Sequence, residues 1–162
     1  MNHEDLRMIL DRNPTLNDFG VGLGELEWDM NRWEKQQVLE AGRQRLLQDL
    51  AGCSRACGWL CDLEPNKTVG CGTSSYFLAH LATEDLGRIS NGAMIVAAIH
   101  CGFPCRVTPG HPNVRFGVSA RSLRAITERQ ERQRNERERF AANPGGDGLG
   151  AAEGDAGSAA AA

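Results

Sequence analysis

The clearest alternation of apolar and polar positions in the chain lies between Thr73 and Ser119. Leu78, Leu81, Ala82 and Leu86 recur at three- and four-residue spacing and predict an amphipathic helix over 74–86. Thr73, Ser74 and Ser75 can cap its start, and Gly87 suits the position past its end. Ser90 and Asn91 open a second helix, 91–102, in which Ala93, Met94, Ile95, Val96, Ala97, Ala98 and Ile99 leave no polar face. Such a helix is buried on most sides or docks on another chain, so a homodimer through 93–99 stands as the alternative to a core assignment. After Pro104 the period changes to two: Cys105 and Val107 alternate with Arg106, and Val114, Phe116 and Val118 with Arg115 and Gly117. This predicts an antiparallel hairpin, 105–108 against 113–118. Counting outward from the loop 109–112 pairs Val107 with Val114, Arg106 with Arg115 and Cys105 with Phe116.

The flanking segments carry weaker patterns. Asn2 can cap a helix over 3–11 with Leu6, Ile9 and Leu10 on one side, ended by Asn13 and Pro14. Residues 15–24, with Gly20, Gly22 and Gly24, read as a tether whose anchors are Leu16, Phe19, Val21 and Leu23. A long helix over 28–51 places Trp28, Leu39, Leu46 and Leu50 on one face, with Gly52 beyond its end. Gly42 falls on that same face, where it costs about 1 kcal/mol of helix propensity against alanine, so another element should pack close to it. Cys53 to Gly72 reads as a strand, a turn and either a second strand or an entry to the next helix, although Cys53, Cys57 and Cys61 fit one buried helical stripe equally well. Arg124 with Glu128, Glu128 with Arg132, Arg132 with Glu136 and Arg134 with Glu138 are four apart, and no apolar stripe follows Ile126. That predicts a solvated charged helix. The remainder is Gly, Ala, Asp and Ser with only Leu149 to contribute to a core, which predicts a disordered tail.

The expected fold class is therefore α+β: a small helical domain with a helix-turn-helix followed by a β-hairpin, the order of a winged helix. Its divisions are an N-terminal helix and tether (1–24), one globular domain (25–120), the charged helix (121–141) and the tail (142–162).

Charge and composition narrow the function. The formal charge is −3, and residues 121–140 hold seven arginines against four glutamates, with no wider basic field. This argues against a general nucleic-acid coat. No segment nears the roughly 20 apolar residues of a membrane span, and MNHEDLRMIL lacks the basic start of a signal peptide. The expectation is a cytoplasmic protein with no membrane association.

Chemistry gives few candidates. The six cysteines include no C-x₂-C pair, so no metal ligand and no cofactor is assigned. Tyr76, His80 and Glu84 share one helix face as the only acid–base set, but a helix face alone supplies neither pocket nor nucleophile, and no catalytic residue is assigned. As a reading helix the second helix offers only Asn91 and His100, too little for base recognition. Contacts to a macromolecule then fall to Arg88 and Asn91 at the turn and to Arg106 and Arg115 on the hairpin. The last two repel by a few tenths of a kcal/mol when directly opposite, a repulsion that an anionic partner would relieve.

Ser75, Tyr76, Leu78 and His80, then Ile89 to Ala93, Ile95, Ala97 to Ile99, Gly102 and Phe103, then Pro112, Asn113, Phe116 and Ser119 form a combination that resembles small uncharacterised proteins of bacteriophages and integrated mobile elements. The resemblance implies a setting and carries no activity with it. The expectation is a non-enzymatic accessory or regulatory module that binds protein or nucleic acid through the turn and hairpin. The alternative is a small metal-binding protein or enzyme built on the cysteine and histidine cluster.

Overall fold

The apolar run 93–99 lies within helix α5 (Asn91–His100), around which the rest of residues 1–130 is assembled. The computed structural model describes residues 1–24 and 29–142. Ser90 caps α5 by accepting the Ala93 N–H, and every residue from 92 to 98 is buried within the single chain. That burial supports the core assignment and counts against a homodimer through 93–99, where only Ile99 keeps partial exposure. Helix α3 (Leu50–Leu60) packs most extensively on α5, and α4 (Ser75–Leu86) and α1 (His3–Arg12) complete its surroundings.

The long helix expected over 28–51 is broken at Asp49. Helix α2 (Arg32–Gln48) ends there, and the Asp49 carboxylate then caps α3 by accepting the Gly52 N–H at 3.0 Å. Gly52 reads as a terminator in sequence but sits in the first turn of α3, where a Cβ would run into that carboxylate. The strand expected after Cys53 is accordingly a helix, with Cys53, Ala56, Trp59 and Leu60 on its buried side. The stripe expected of the cysteines holds only in part: Cys53 is buried, Cys57 is half-buried, and Cys61 is exposed at the end of the helix. Trp28 lies outside the described residues.

The segment expected to be a tether is a wall of the core. Asn2 and Asp5 form a reciprocal capping box on α1, and Leu6, Leu10, Leu16 and Leu23 are buried. Between them, β1 (Leu16–Asn17) and β2 (Gly20–Val21) form a minimal antiparallel hairpin. The Arg43 guanidinium of α2 donates to the carbonyls of Leu10, Asn13, Pro14 and Leu16, which serves the end of α1 and fixes the loop. Gly42 is required by the same approach. A Cβ there would stand 2.7 Å from Asp18 Oδ1 and 3.0 Å from the Asn17 Cβ, while its carbonyl accepts the Asp18 N–H.

Strand β3 (Thr73–Ser74) joins β4 (Cys105–Val107) and β5 (Val114–Phe116) in a three-stranded antiparallel sheet of order β3-β5-β4. The hairpin register is the one counted from the sequence, with Arg106 opposite Arg115. Val114 and Phe116 are buried, whereas all three residues of the edge strand β4 are exposed.

Helix α6 (Ala120–Ala142) begins within the first unit, where Ile126 and Gln130 are buried and Gln130 Nε2 donates to Leu81 O at 2.9 Å. From Glu131 to Ala142 every residue is exposed, as the charge spacing predicts. The expected disordered tail lies outside the described residues. Among those residues no helix is long and apolar enough to cross a membrane.

One polar cluster ties α3, α4 and the start of α6 together. Asp85 Oδ2 accepts from Trp59 Nε1 at 2.7 Å and from Arg129 at 3.0 Å, and Arg129 also reaches Asp62 at 3.1 Å. Burial pushes the Asp85 carboxyl up, but the hydrogen bonds from Trp59 and Gln130 and the charge of Arg129 outweigh it and hold it below its ordinary value. The folded carboxyl is thus more acidic than the unfolded one. Its contribution is present at neutral pH and is lost as pH falls through the lowered value. Asp85→Ala, which leaves the buried Trp59 N–H without its acceptor, is expected to cost about 2 kcal/mol at pH 7. In urea titrations the gap to the wild type should narrow below pH 4, about the ordinary carboxylate pKa.

Candidate binding site

The loop 15–24, α2, α4, the α4–α5 turn and the tip of the β4–β5 hairpin enclose a cleft of about 670 Å³. Its geometry starts at Asn17, which is buried. The Asn17 amide donates to Thr15 O at 3.1 Å and Gly22 O at 2.9 Å, and its oxygen accepts the Phe19 N–H at 2.8 Å. This internal bracing holds the loop in shape. The Val21 N–H donates to Pro112 O at 2.8 Å, and the Gly92 N–H to Asp18 O at 3.0 Å, which fastens the loop to the hairpin tip and to α5. Gly20, at φ 144, takes a conformation open to glycine, and a Cβ there would strike the Pro112 carbonyl. The result is a half-exposed Phe19 ring displayed on the cleft wall, with Tyr76, 65% exposed, at the start of α4.

Leu23, Val38, Ala79, Ile89 and Pro112 give the cleft its apolar surface. Its charges are uneven. Arg45 donates to the Asp18 carboxylate from Nε at 2.6 Å and from Nη2 at 3.0 Å, so that pair is internally neutral. Arg88 is exposed, and its guanidinium has no hydrogen-bond or ion-pair partner among the described residues. The Thr83 hydroxyl is occupied, donating to Ala79 O at 2.8 Å and accepting the Ile89 N–H.

The four residues singled out in the sequence separate into two places. Arg88 and Asn91 line the cleft; Arg106 and Arg115 do not. Asn91 is a latch: its amide donates to Phe19 O at 2.7 Å and Asn113 Oδ1 at 3.0 Å, and its own Oδ1 is buried without a partner among the described residues. The start of α5 offers little to an anion. Its Gly92 N–H is taken by Asp18 and its Ala93 N–H by the Ser90 hydroxyl. On the hairpin, Arg115 donates to the carbonyls of Cys71 and Gly72 at 3.3 Å, on the β3 side of the sheet, whereas Arg106 stands on β4 at the other edge. The guanidinium of Arg115 is therefore engaged away from Arg106, which counts against a two-arginine clamp. Arg106→Gln is expected to leave the melting temperature unchanged, and Arg115→Gln to lower it by a degree or two; a rise in both would restore the repulsive pair.

His80 lines the cleft beside Tyr76 but Glu84 does not, so the acid–base set of the sequence is divided. Burial pushes the thiols of Cys53 and Cys57 up to about 12 and raises that of Cys101, which keeps them protonated at neutral pH. Among the described residues no three His, Cys, Asp or Glu side chains are placed to hold a metal ion. Asn17, Asp18, Arg45 and Thr83 are among the cleft residues that the sequence did not single out. Asp18 and Arg45 are 27 positions apart, and nothing in their local spacing links them. Comparison with family models, curated proteins and solved structures finds no match to this chain.

Proposed function

We propose that the chain is a non-enzymatic accessory or regulatory module, in the phage or mobile-element setting implied by its resemblance, and that it acts by holding a partner protein at the cleft. The observation that carries this reading is the preformed cleft itself. Its loop wall is braced by Asn17 and Asn91, and among the described residues it presents apolar surface, two exposed aromatic rings and one guanidinium without a partner. Pockets of this size and mixed lining are the usual form of a ligand-binding site, large enough for one side chain of a partner with its flanking backbone. The fold reading is winged-helix-like: β3 precedes the two helices, and the hairpin follows them, with β5 paired to β3. The burial of residues 92–98 argues against α5 as a helix inserted in a DNA groove, and the single unpartnered guanidinium among the described cleft residues against a row of phosphate contacts.

A photo-crosslinking residue at position 76, introduced in cells that carry the element, should capture a partner that the same residue at position 106 does not. With that partner purified, Arg88→Glu is expected to weaken binding at least tenfold and Arg106→Gln less than twofold. Capture from position 106 alone, with affinity insensitive to Arg88, would move the surface to the hairpin.

A further inference from the structure

We infer that the cleft recognises a short peptide segment in which an aromatic side chain is followed by a carboxylate. This inference rests on the cleft being the binding site and names what it selects. The apolar area formed by Leu23, Val38, Ala79 and Ile89 calls for an apolar body, and Phe19, half-exposed, and Tyr76, largely exposed, offer ring faces and edges to an aromatic one. A cleft of about 670 Å³ has room for one large side chain with its flanking backbone, within the range of roughly 300–1,000 Å³ common for recognition pockets. The polar groups decide the rest. Arg45 is neutralised by Asp18, so among the described residues the net charge facing the ligand comes from Arg88, a planar donor suited to a carboxylate. The Asn113 amide oxygen is occupied by Asn91, while its NH₂ has no partner among the described residues and can donate to a peptide carbonyl. A basic or uncharged segment would leave Arg88 uncompensated. A nucleic-acid strand would find one phosphate contact where it needs several.

The test uses the full-length, ¹⁵N-labelled chain and three blocked dipeptide amides, N-acetyl-Trp-Asp, N-acetyl-Trp-Gln and N-acetyl-Trp-Lys, with a thymidine decanucleotide as the nucleic-acid arm. The aspartyl probe is expected to shift the amides of Phe19, Gly20, Ser90 and Asn91 in a saturable way, with affinity at least fivefold above the glutaminyl probe and higher still above the lysyl probe. Arg88→Gln should abolish the preference for aspartate while leaving the glutaminyl probe within twofold. Tyr76→Ala should weaken all three. Both substitutions are at exposed positions, and the dispersion of the remaining amide signals reports whether the fold is kept. Equal affinity for the three dipeptides would overturn the carboxylate selection and leave the cleft as a binding site. Shifts at the cleft from the oligonucleotide alone would overturn both this inference and the protein-partner reading on which it rests. So would the absence of shifts at these residues with every probe.

Discussion

Gly92→Ala is expected to destabilise the protein by about 2–3 kcal/mol, although alanine is favoured over glycine by about 1 kcal/mol inside a helix. The reason is the approach of the loop 15–24 to α5. A Cβ at position 92 would sit within 3 Å of three backbone atoms, Asn17 O, Asn17 C and Asp18 Cα, and the Gly92 N–H is the donor that holds Asp18 O. Backbone cannot move aside as the end of a flexible side chain can, so the loop must lift from the helix. Because the same loop carries Phe19 into the cleft, the substitution should also abolish partner binding. Gly58→Ala supplies the control. It too is a glycine within a helix, but a Cβ there meets nothing within 4 Å, and the variant should gain up to about 1 kcal/mol. Thermal or urea unfolding of the two variants side by side separates close packing from propensity, since propensity alone moves both in the same direction.

The second large effect is at the centre of the core. Ile95 is fully buried within one chain, and Ile95→Ala is expected to cost about 2–5 kcal/mol through lost apolar burial and the cavity left behind. The loss should be the same at 1 and at 100 micromolar protein. A melting temperature that rises with protein concentration in the wild type, and a loss for Ile95→Ala that grows on dilution, would return this helix to a subunit interface.

The parts of the fold legible in the sequence are those written in local spacing. The start of α5 follows from Ser90, which does cap it, and the hairpin register follows from counting outward from the loop, because an antiparallel pair fixes side-chain partners by loop length alone. Gly42 marked the close approach of an unseen element, and that element is the loop at Asn17 and Asp18. The break between α2 and α3 was hidden because Asp49 serves as the end of one helix and the cap of the next, so no glycine or proline intervenes; Gly52, the residue that looked like punctuation, packs under the cap. Glycines at 20, 22 and 24 make the loop 15–24 resemble a flexible tether. Here Gly20 instead permits contact with Pro112, and Asn17, Arg43 and Asn91 spend their polar groups on backbone carbonyls that carry no sequence signature. For the site, Arg88 and Asn91 were found by their place at a turn. Arg106 and Arg115 were found by register, which was right, but register does not report that Arg115 leans to the carbonyls of Cys71 and Gly72.

The central claim is that the partner is held in the cleft beside the α4–α5 turn. Hydrogen exchange of the backbone amides, measured for the free protein and for its complex with the captured partner, tests it most directly. The account predicts slowed exchange across residues 19–24 and 88–91 and at the start of α4, with residues 105–108 and 131–142 unchanged. Slowed exchange confined to the edge strand β4 or to the exposed part of α6, with the cleft exchanging as in the free protein, would contradict it.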